Sequence, residues 1–407
     1  MAGMRRDDSR TSASPPEPDA DARAVSRELT DRLRAAANEQ GGSMPFETFM
    51  DRALYEPGLG YYRAGAARFG AGGDFTTAPE FSPLFGRALG RQAGEILDHL
   101  AQGEADGGDV VELGPGTGSL AAAALPELER LGRLPRRWRM LEVSAALRQE
   151  QERTLAARVP HLLPRVEWLE ALPELDVPAV WIANEVLDAL PVRRFVYRSG
   201  GVRELHVAPE GEGWGWREAP PSGELEAAVA AITERLGPLP EGYVSEVCTR
   251  LRPFLVGLAR ALQRGVMLFI DYGYPRGEYY HPQRHGGTLL CHYRHRAHDD
   301  PFFWPGLQDV TAFVDFTASA DAALEAGLEV LGYAPQGPFL LGAGLAEIGE
   351  TELEAAADDA ERLRVSQAIQ RLTHPAEMGE RFKVLALGKG YDGPLAGFTM
   401  VDRRGSL

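Results

Sequence analysis

The 407-residue chain is short of lysine, cysteine, long apolar runs and positive charge, and each shortage narrows what it can be. Lysine occurs only at positions 383 and 389 while arginine is abundant, which we read as the coding bias of a GC-rich genome. The two cysteines, Cys248 and Cys291, lie far apart and match no metal or redox spacing. They suit a reducing compartment with both thiols unpaired. No apolar run approaches the ~18 residues of a membrane span. The 43 Lys and Arg face 59 Asp and Glu, for a net charge of −16. Such a chain repels phosphate backbones, so broad nucleic-acid binding is disfavoured. The densest basic run, Pro135–Arg139, reads as a solvated helix end leading into a strand.

The first 25 residues, rich in Asp, Ser, Pro and Arg, lack the apolar stretch of a secretory signal. They also carry too many acids for a mitochondrial transit peptide, so a disordered tail on a cytoplasmic protein is expected.

What is present is an ordinary globular composition, 44% hydrophobic and 25% charged, with room for one large domain or two smaller ones. A helix is predicted from Ser26, a good N-cap, to the glycines at 41 and 42. A long Gly- and aromatic-rich loop, Gly58–Phe81, precedes a helix that Ser82 and Pro83 begin. Strands and helices then alternate: "DVVELG", "RWRMLEV", "VEW" and "PAVWIANEV" read as buried strands, "GVMLFIDYGYP" as a further one and "ERFKVLALGKG" as the last. Residues 192–218 alternate apolar and polar side chains around Ser-Gly-Gly and Glu-Gly turns, which predicts an inserted β-meander. The fold class expected is α/β, a doubly wound, mostly parallel Rossmann-like sheet. The expected organisation is a tail over 1–25, a helical arm and covering loop over 26–105, a core over 106–191 and 265–390, a substrate-facing insertion over 192–264 and a tail over 391–407.

The stretch "VVELGPGTGS", Val110–Ser119, places three glycines after a strand with an acid just ahead. A phosphate-binding P-loop fits it poorly, because no lysine follows Gly118. A dinucleotide fingerprint is weakened, because Ser119 stands where its last glycine belongs. The third reading is the acid-x-G-x-G-x-G loop that approaches S-adenosylmethionine, whose neutral adenosine and cationic sulfonium need no lysine. Glu112 then faces the methionyl or sulfonium end, Gly114, Gly116, Thr117 and Gly118 form the loop, and Glu142, ending the next strand, accepts from the ribose hydroxyls.

The strings "GDFTTAPEFSPLFG" (Gly73–Gly86), "ELGPGTGSL", "LEVSAALRQEQ", "NEVLDALPV" (Asn184–Val192), "FIDYGYP" (Phe269–Pro275), "GLQDVTAFVDFTA" (Gly306–Ala318) and "MGERFKVLALGKG" resemble, in that order, the motifs of the MidA-like family. The resemblance covers roughly residues 45–390. It implies a class I S-adenosylmethionine-dependent methyltransferase, and in the family's mitochondrial branch the methylation of an arginine in a core subunit of respiratory complex I. It also implies that Asp74, Thr76 and Pro79 line the cofactor as part of a lid.

Asn184, Glu185 and Asp188 follow the fourth strand, and Asp271 the fifth, so all four should face the crevice beyond the strand ends. Glu185, Asp188 and Asp271 are the candidate catalytic residues, because paired carboxylates can hold and orient a guanidinium; Asn184 joins the cofactor set. Backbone capping by Asp188 and a structural hydrogen bond by Asp271 are the competing roles. Asp309 and Asp315 are further candidates that capping explains equally well. His292, His295 and His298 match no metal-site spacing, and no metal is expected. The chain is therefore expected to methylate a protein, most readily at arginine. An RNA or small-molecule acceptor, or a non-catalytic assembly factor holding the cofactor as a structural ligand, are the alternatives.

Overall fold

The computed structural model describes residues 16–63, 77–101 and 107–407. It divides into two compact units, Met1–Thr76 with Ala189–Arg250 and Tyr280–Ala312, and Thr77–Asp188 with Leu251–Tyr279 and Phe313–Leu407.

The second unit carries the alternating pattern. The elements that build its sheet and flank it include helices α1 (Ala78–Phe81) and α2 (Pro83–Ala101), strand β1 (Asp109–Leu113), α3 (Ser119–Arg130), β2 (Trp138–Leu141), α4 (Ala145–Arg158), β3 (Val166–Leu169), β4 (Ala179–Asn184), α5 (Leu251–Ala261), β5 (Gly265–Tyr274), β6 (Val314–Asp315), α6 (Phe316–Glu325), β7 (Glu329–Pro335) and β8 (Phe382–Lys389), with further helices between β7 and β8. The strands lie in the order β7-β8-β5-β4-β1-β2-β3, with β6 beside β5. Those from β5 to β3 are parallel, and β8 runs antiparallel between β5 and β7. This is the mostly parallel α/β sheet expected. All five residues of β1 are buried, as a central strand covered on both faces requires.

One face of the sheet packs Val110, Ile182, Leu268 and Val384 into a cluster with Phe85 and Leu89 of α2 and Leu125 of α3. The two helices approach closely because glycines line the contact. A Cβ at Gly86 would stand 2.8 Å from the Ala123 Cβ, and one at Gly90 3.1 Å from the Ala124 carbonyl oxygen. Beside this seam the buried Glu127 gathers Arg87, Arg91 and Arg130. Burial disfavours its charge, yet hydrogen bonds from Arg130 and Arg91 and the charge of Arg87 hold its pKa down to about 2.

The first unit holds the helix Ala20–Glu39 and a sheet built on Arg193–Arg198, Gly201–Glu210, Gly213–Ala219 and Val244–Val247, so the meander forms as read. Two readings shift. The first helix starts at Ala20, not Ser26: Asp19 accepts from the Ala22 N–H at 2.8 Å and caps it, while Ser26 is buried inside the helix. Helix α5, placed by sequence in the insertion, packs in the second unit through Leu255 and Leu258. Among the described residues, no helix is long and apolar enough to cross a membrane.

Candidate functional site at the carboxyl ends of the central strands

Strand register fixes the site. Leu113 pairs with Ala183 of β4 and with Leu141 of β2, and Asn184 pairs with Ile270 of β5. The residues that follow, Gly114, Glu142, Glu185 and Asp271, are thus brought to one edge of the sheet by four adjacent strands. The chain reverses its winding between β1 and β4, the point where ligands of open α/β sheets bind.

The turn after β1 needs its glycines. Gly114, Gly116 and Gly118 have φ of 60°, 52° and 81°, in the left-handed region that a side chain penalises. A Cβ on Gly118 would lie 3.3 Å from Gln151 Cα, so the loop backbone packs on α4. Among the described residues, a Cβ on Gly116 would meet nothing within 4 Å, so they leave this face of the loop open to an approaching ligand. Thr117 Oγ1 lies 2.9 Å from Ser119 Oγ.

Glu80 reaches this loop from α1. It closes a capping box with Thr77 and hydrogen-bonds the Thr117 side chain, while burial raises its pKa above the ordinary value. Pro79 therefore sits on a helical turn docked against the glycine loop. Asp74 and Thr76 lie outside the described residues.

The acids are held in different ways. Glu142 is buried; its Oε1 accepts from Ser144 N–H at 2.7 Å and its Oε2 from the Gln151 amide at 3.1 Å. Glu112, expected as a carboxylate, is fully enclosed. Burial pushes its pKa up to about 8 against the lowering effect of a 2.8 Å bond from the Trp138 indole. Burial thus favours its protonated form, because the charged one would lose its hydration.

Asp271 is 1% exposed. Its Oδ2 accepts from the N–H groups of Leu187 and Asp188 at 3.0 and 3.2 Å, and its Oδ1 from that of Tyr272 at 3.0 Å. It pegs down the turn after β4. Burial and then the charges of Asp188 and Glu185 drive its pKa well above the carboxylate range. Glu185 takes a left-handed φ of 54°, with its N–H bonded to the Ile270 carbonyl at 2.9 Å. A non-glycine residue there stores backbone strain, a feature that clusters at functional sites. Asn184 donates to Glu185 Oε1 at 3.1 Å, and among the described residues its own side-chain oxygen is buried without a hydrogen-bond partner. Asp188 is buried.

Gln151, Trp138 and Trp168 escaped the sequence reading. Gln151 closes the "LEVSAALRQEQ" string but was given no role there, and the apposition of β2, β3 and α4 is what gives all three their partners. The remaining candidates fall elsewhere. Asp315 caps α6 by accepting from Ala318 N–H at 3.0 Å and pairs with Arg276. Asp309 accepts from the Tyr62 hydroxyl at 2.9 Å in the first unit. That unit also holds His292, His295 and His298; burial lowers the His292 pKa to about 4. Among the described residues, no three His, Cys, Asp or Glu side chains gather in a way that would hold a metal.

The chain is similar to proteins already described. The model of a family described as "Putative S-adenosyl-L-methionine-dependent methyltransferase" matches residues 88–334. The protein arginine methyltransferase NDUFAF7, mitochondrial, of Danio rerio is 29% identical over 401 residues, covering 89% of this chain and 90% of that one. Its Drosophila melanogaster homolog is 30% identical over 406 residues, covering 92% and 88%. A COG1565 superfamily member from Burkholderia thailandensis, solved with S-adenosyl-homocysteine bound, superposes with a TM-score of 0.90 at 43% identity, covering 97% of this chain and all of that one. The names of these animal relatives overturn one expectation. They are mitochondrial proteins, so the acid-rich first 25 residues do not support the cytoplasmic location read from them.

Proposed function

We infer the reaction from one premise: the chain belongs to this S-adenosyl-L-methionine-dependent methyltransferase family, and S-adenosylmethionine is its cofactor. The residues present suit that group. Gly116 leaves open space at a left-handed turn, Glu142 is a buried carboxylate at the next strand end, and no lysine awaits a phosphate. Gly114, Gly116, Thr117 and Gly118 would hold the cofactor along the loop, Glu142 would accept from its ribose, and Asn184, with its buried side-chain oxygen, would face it from β4. Glu112 would lie beneath the loop as a neutral acceptor. Asp74, Thr76 and Pro79 would cover it. When bound, the cofactor supplies an electrophilic methyl group on a sulfonium.

The acceptor in our reading is a protein arginine, and the acidic turn after β4 is the observation that carries it. A guanidinium is a fork of donors with a pKa above ~12, and carboxylates hold it by paired charge-assisted bonds. Glu185 and Asp188 would hold the guanidinium and turn one nitrogen toward the methyl group, and Asp271 would act on that turn through the backbone as a positioning residue. The names of the animal relatives, protein arginine methyltransferases matched along nearly their whole length, support this choice. A core subunit of a complex I-type respiratory enzyme is the acceptor we favour, following the family resemblance.

The test is labelled-methyl transfer from S-adenosylmethionine into a lysate of the source organism lacking this gene, with mass spectrometry of the labelled band. Methylarginine in a single protein is expected. Label in RNA, in a small molecule or on a residue other than arginine would overturn the arginine reading.

A further inference from the structure

Gln151 is completely buried, two turns into α4, and all its hydrogen-bonding groups point to other segments. Its amide nitrogen donates to the Gly116 carbonyl at 2.9 Å and to Glu142 Oε2 at 3.1 Å, and its oxygen accepts from the Trp168 indole at 2.9 Å. The orientation of this amide is not free. An indole N–H can only donate, so it must face the amide oxygen, and the two amide hydrogens are left for the two acceptors. One side chain thus ties the glycine loop, the end of β2 and strand β3 together. Glu142 Oε1 is held separately by the Ser144 N–H at 2.7 Å, so the carboxylate is fixed from two sides.

We propose that Gln151 is a positioning residue of the cofactor site, holding the Glu142 carboxylate in the one orientation that accepts from the ribose hydroxyls. The inference rests on the reading that Glu142 meets the ribose. A carboxylate offers about four acceptor sites, of which the donors from Gln151 and Ser144 take one each. A carboxylate free to turn would spend part of the binding energy on being ordered. The same amide fixes the Gly116 carbonyl, so the open face of the loop and the ribose acceptor move as one body. Trp168 acts a step further out, by deciding which way the amide points.

A purely structural glutamine would weaken all ligands alike when replaced. A positioning residue makes a different prediction: its loss removes the preference for the ribose hydroxyls. The experiment is calorimetric binding of S-adenosylhomocysteine and of its 2′-deoxyribose analogue to the full chain and to three variants. The unaltered protein should prefer the hydroxylated ligand by roughly tenfold or more, as for one hydrogen bond to a charged group. Gln151→Met keeps the length and apolar fit of the side chain but has no amide. It should lose about that factor for S-adenosylhomocysteine, bind the deoxy analogue nearly as before, and so show almost no preference. Trp168→Phe keeps the amide but lets it turn its oxygen toward Glu142, and should lose part of the preference.

Equal losses for both ligands in Gln151→Met, with the preference intact, would overturn the inference. If thermal denaturation shows that Gln151→Met does not fold, an undiminished preference in Trp168→Phe overturns it instead. Glu142→Ala separates the underlying reading. If that variant retains the hydroxyl preference, Glu142 does not meet the ribose at all. If it loses the preference while Gln151→Met keeps it, the ribose reading stands and the positioning role falls.

Discussion

Replacing Glu185 should separate folding from methyl transfer, because the residue stores strain and charge at the same point. Its φ of 54° costs a non-glycine residue about 1–2 kcal/mol. Its charge also acts against its neighbours: with that of Asp188, it raises the proton affinity of the buried Asp271. Glu185→Gly removes both penalties, and the extra chain entropy of glycine returns about 0.5–1 kcal/mol. The variant should therefore be as stable as the original or up to about 1 kcal/mol more stable. Glu185→Gln keeps the strain and the size but loses the charge, and its stability should change little. Both should bind S-adenosylhomocysteine normally. Both should transfer methyl slowly, because a charge-assisted hydrogen bond to the acceptor is worth roughly 1.5–3 kcal/mol. Lost in the transition state alone, that slows turnover by about tenfold to a few hundredfold. Urea denaturation, calorimetry and methyl transfer to the identified acceptor measure the three quantities. If Glu185→Gln transfers methyl at the original rate, the carboxylate does not grip the acceptor. If Glu185→Gly is destabilised by more than about 2 kcal/mol, the strain argument is wrong.

Two further perturbations test the loop and the acid beneath it. Gly116→Val puts a branched side chain at a left-handed position facing open space, so it should cost about 1–2 kcal/mol of stability and abolish measurable S-adenosylmethionine binding; calorimetry with S-adenosylmethionine, NAD and ATP checks this, and tight NAD binding by the unaltered protein would refute the assignment of the loop. Glu112 has a folded pKa of about 8 against an ordinary 4.5, so the folded state keeps a proton that the unfolded chain has released between those values. Stability should fall as pH rises through that window, by up to about 5 kcal/mol, and Glu112→Gln, which preserves an acceptor for the Trp138 indole, should flatten the dependence; denaturant titrations at pH 6 and pH 9 giving the same difference for both proteins would show that Glu112 does not carry the effect.

The sheet was readable because its signals are local. A strand such as Val110–Leu113 is fully buried, apolar but for Glu112, and stops at a glycine, and β4 is an apolar run that ends at Asn184. Alternation of such strands with amphipathic helices dictates parallel pairing and a crevice at the reversal of winding. Other features depend on partners distant in sequence. The start of the first helix was misplaced because Ser26 and Asp19 are both good caps, and the choice falls to whichever is left exposed once Leu29 and Leu33 are buried. The grouping of α5 with the second unit follows from the apolar face it buries, through Leu255 and Leu258, and no composition shift in the sequence marks that.

The acids of the site show where a sequence stops being informative. Glu142, Glu185 and Asp271 were found by one rule, that a polar residue at the end of a buried strand faces the crevice, and Glu112 by its place ahead of the glycine loop. The rule locates a carboxyl group but cannot give its charge or its partners. Those depend on what packs around it: full burial raises the proton affinity of Glu112 against the bond from Trp138, three backbone N–H groups occupy Asp271, and Gln151 with Ser144 holds Glu142. Glu185 differs because its backbone is bent into a left-handed turn and its carboxylate accepts from the side-chain amide of its neighbour Asn184. Backbone donors fix an acid to the fold; a side-chain amide can turn away and leave the oxygen to a ligand. Of the acids at this edge, Glu185 is therefore the one whose replacement should be felt in the reaction before it is felt in the fold.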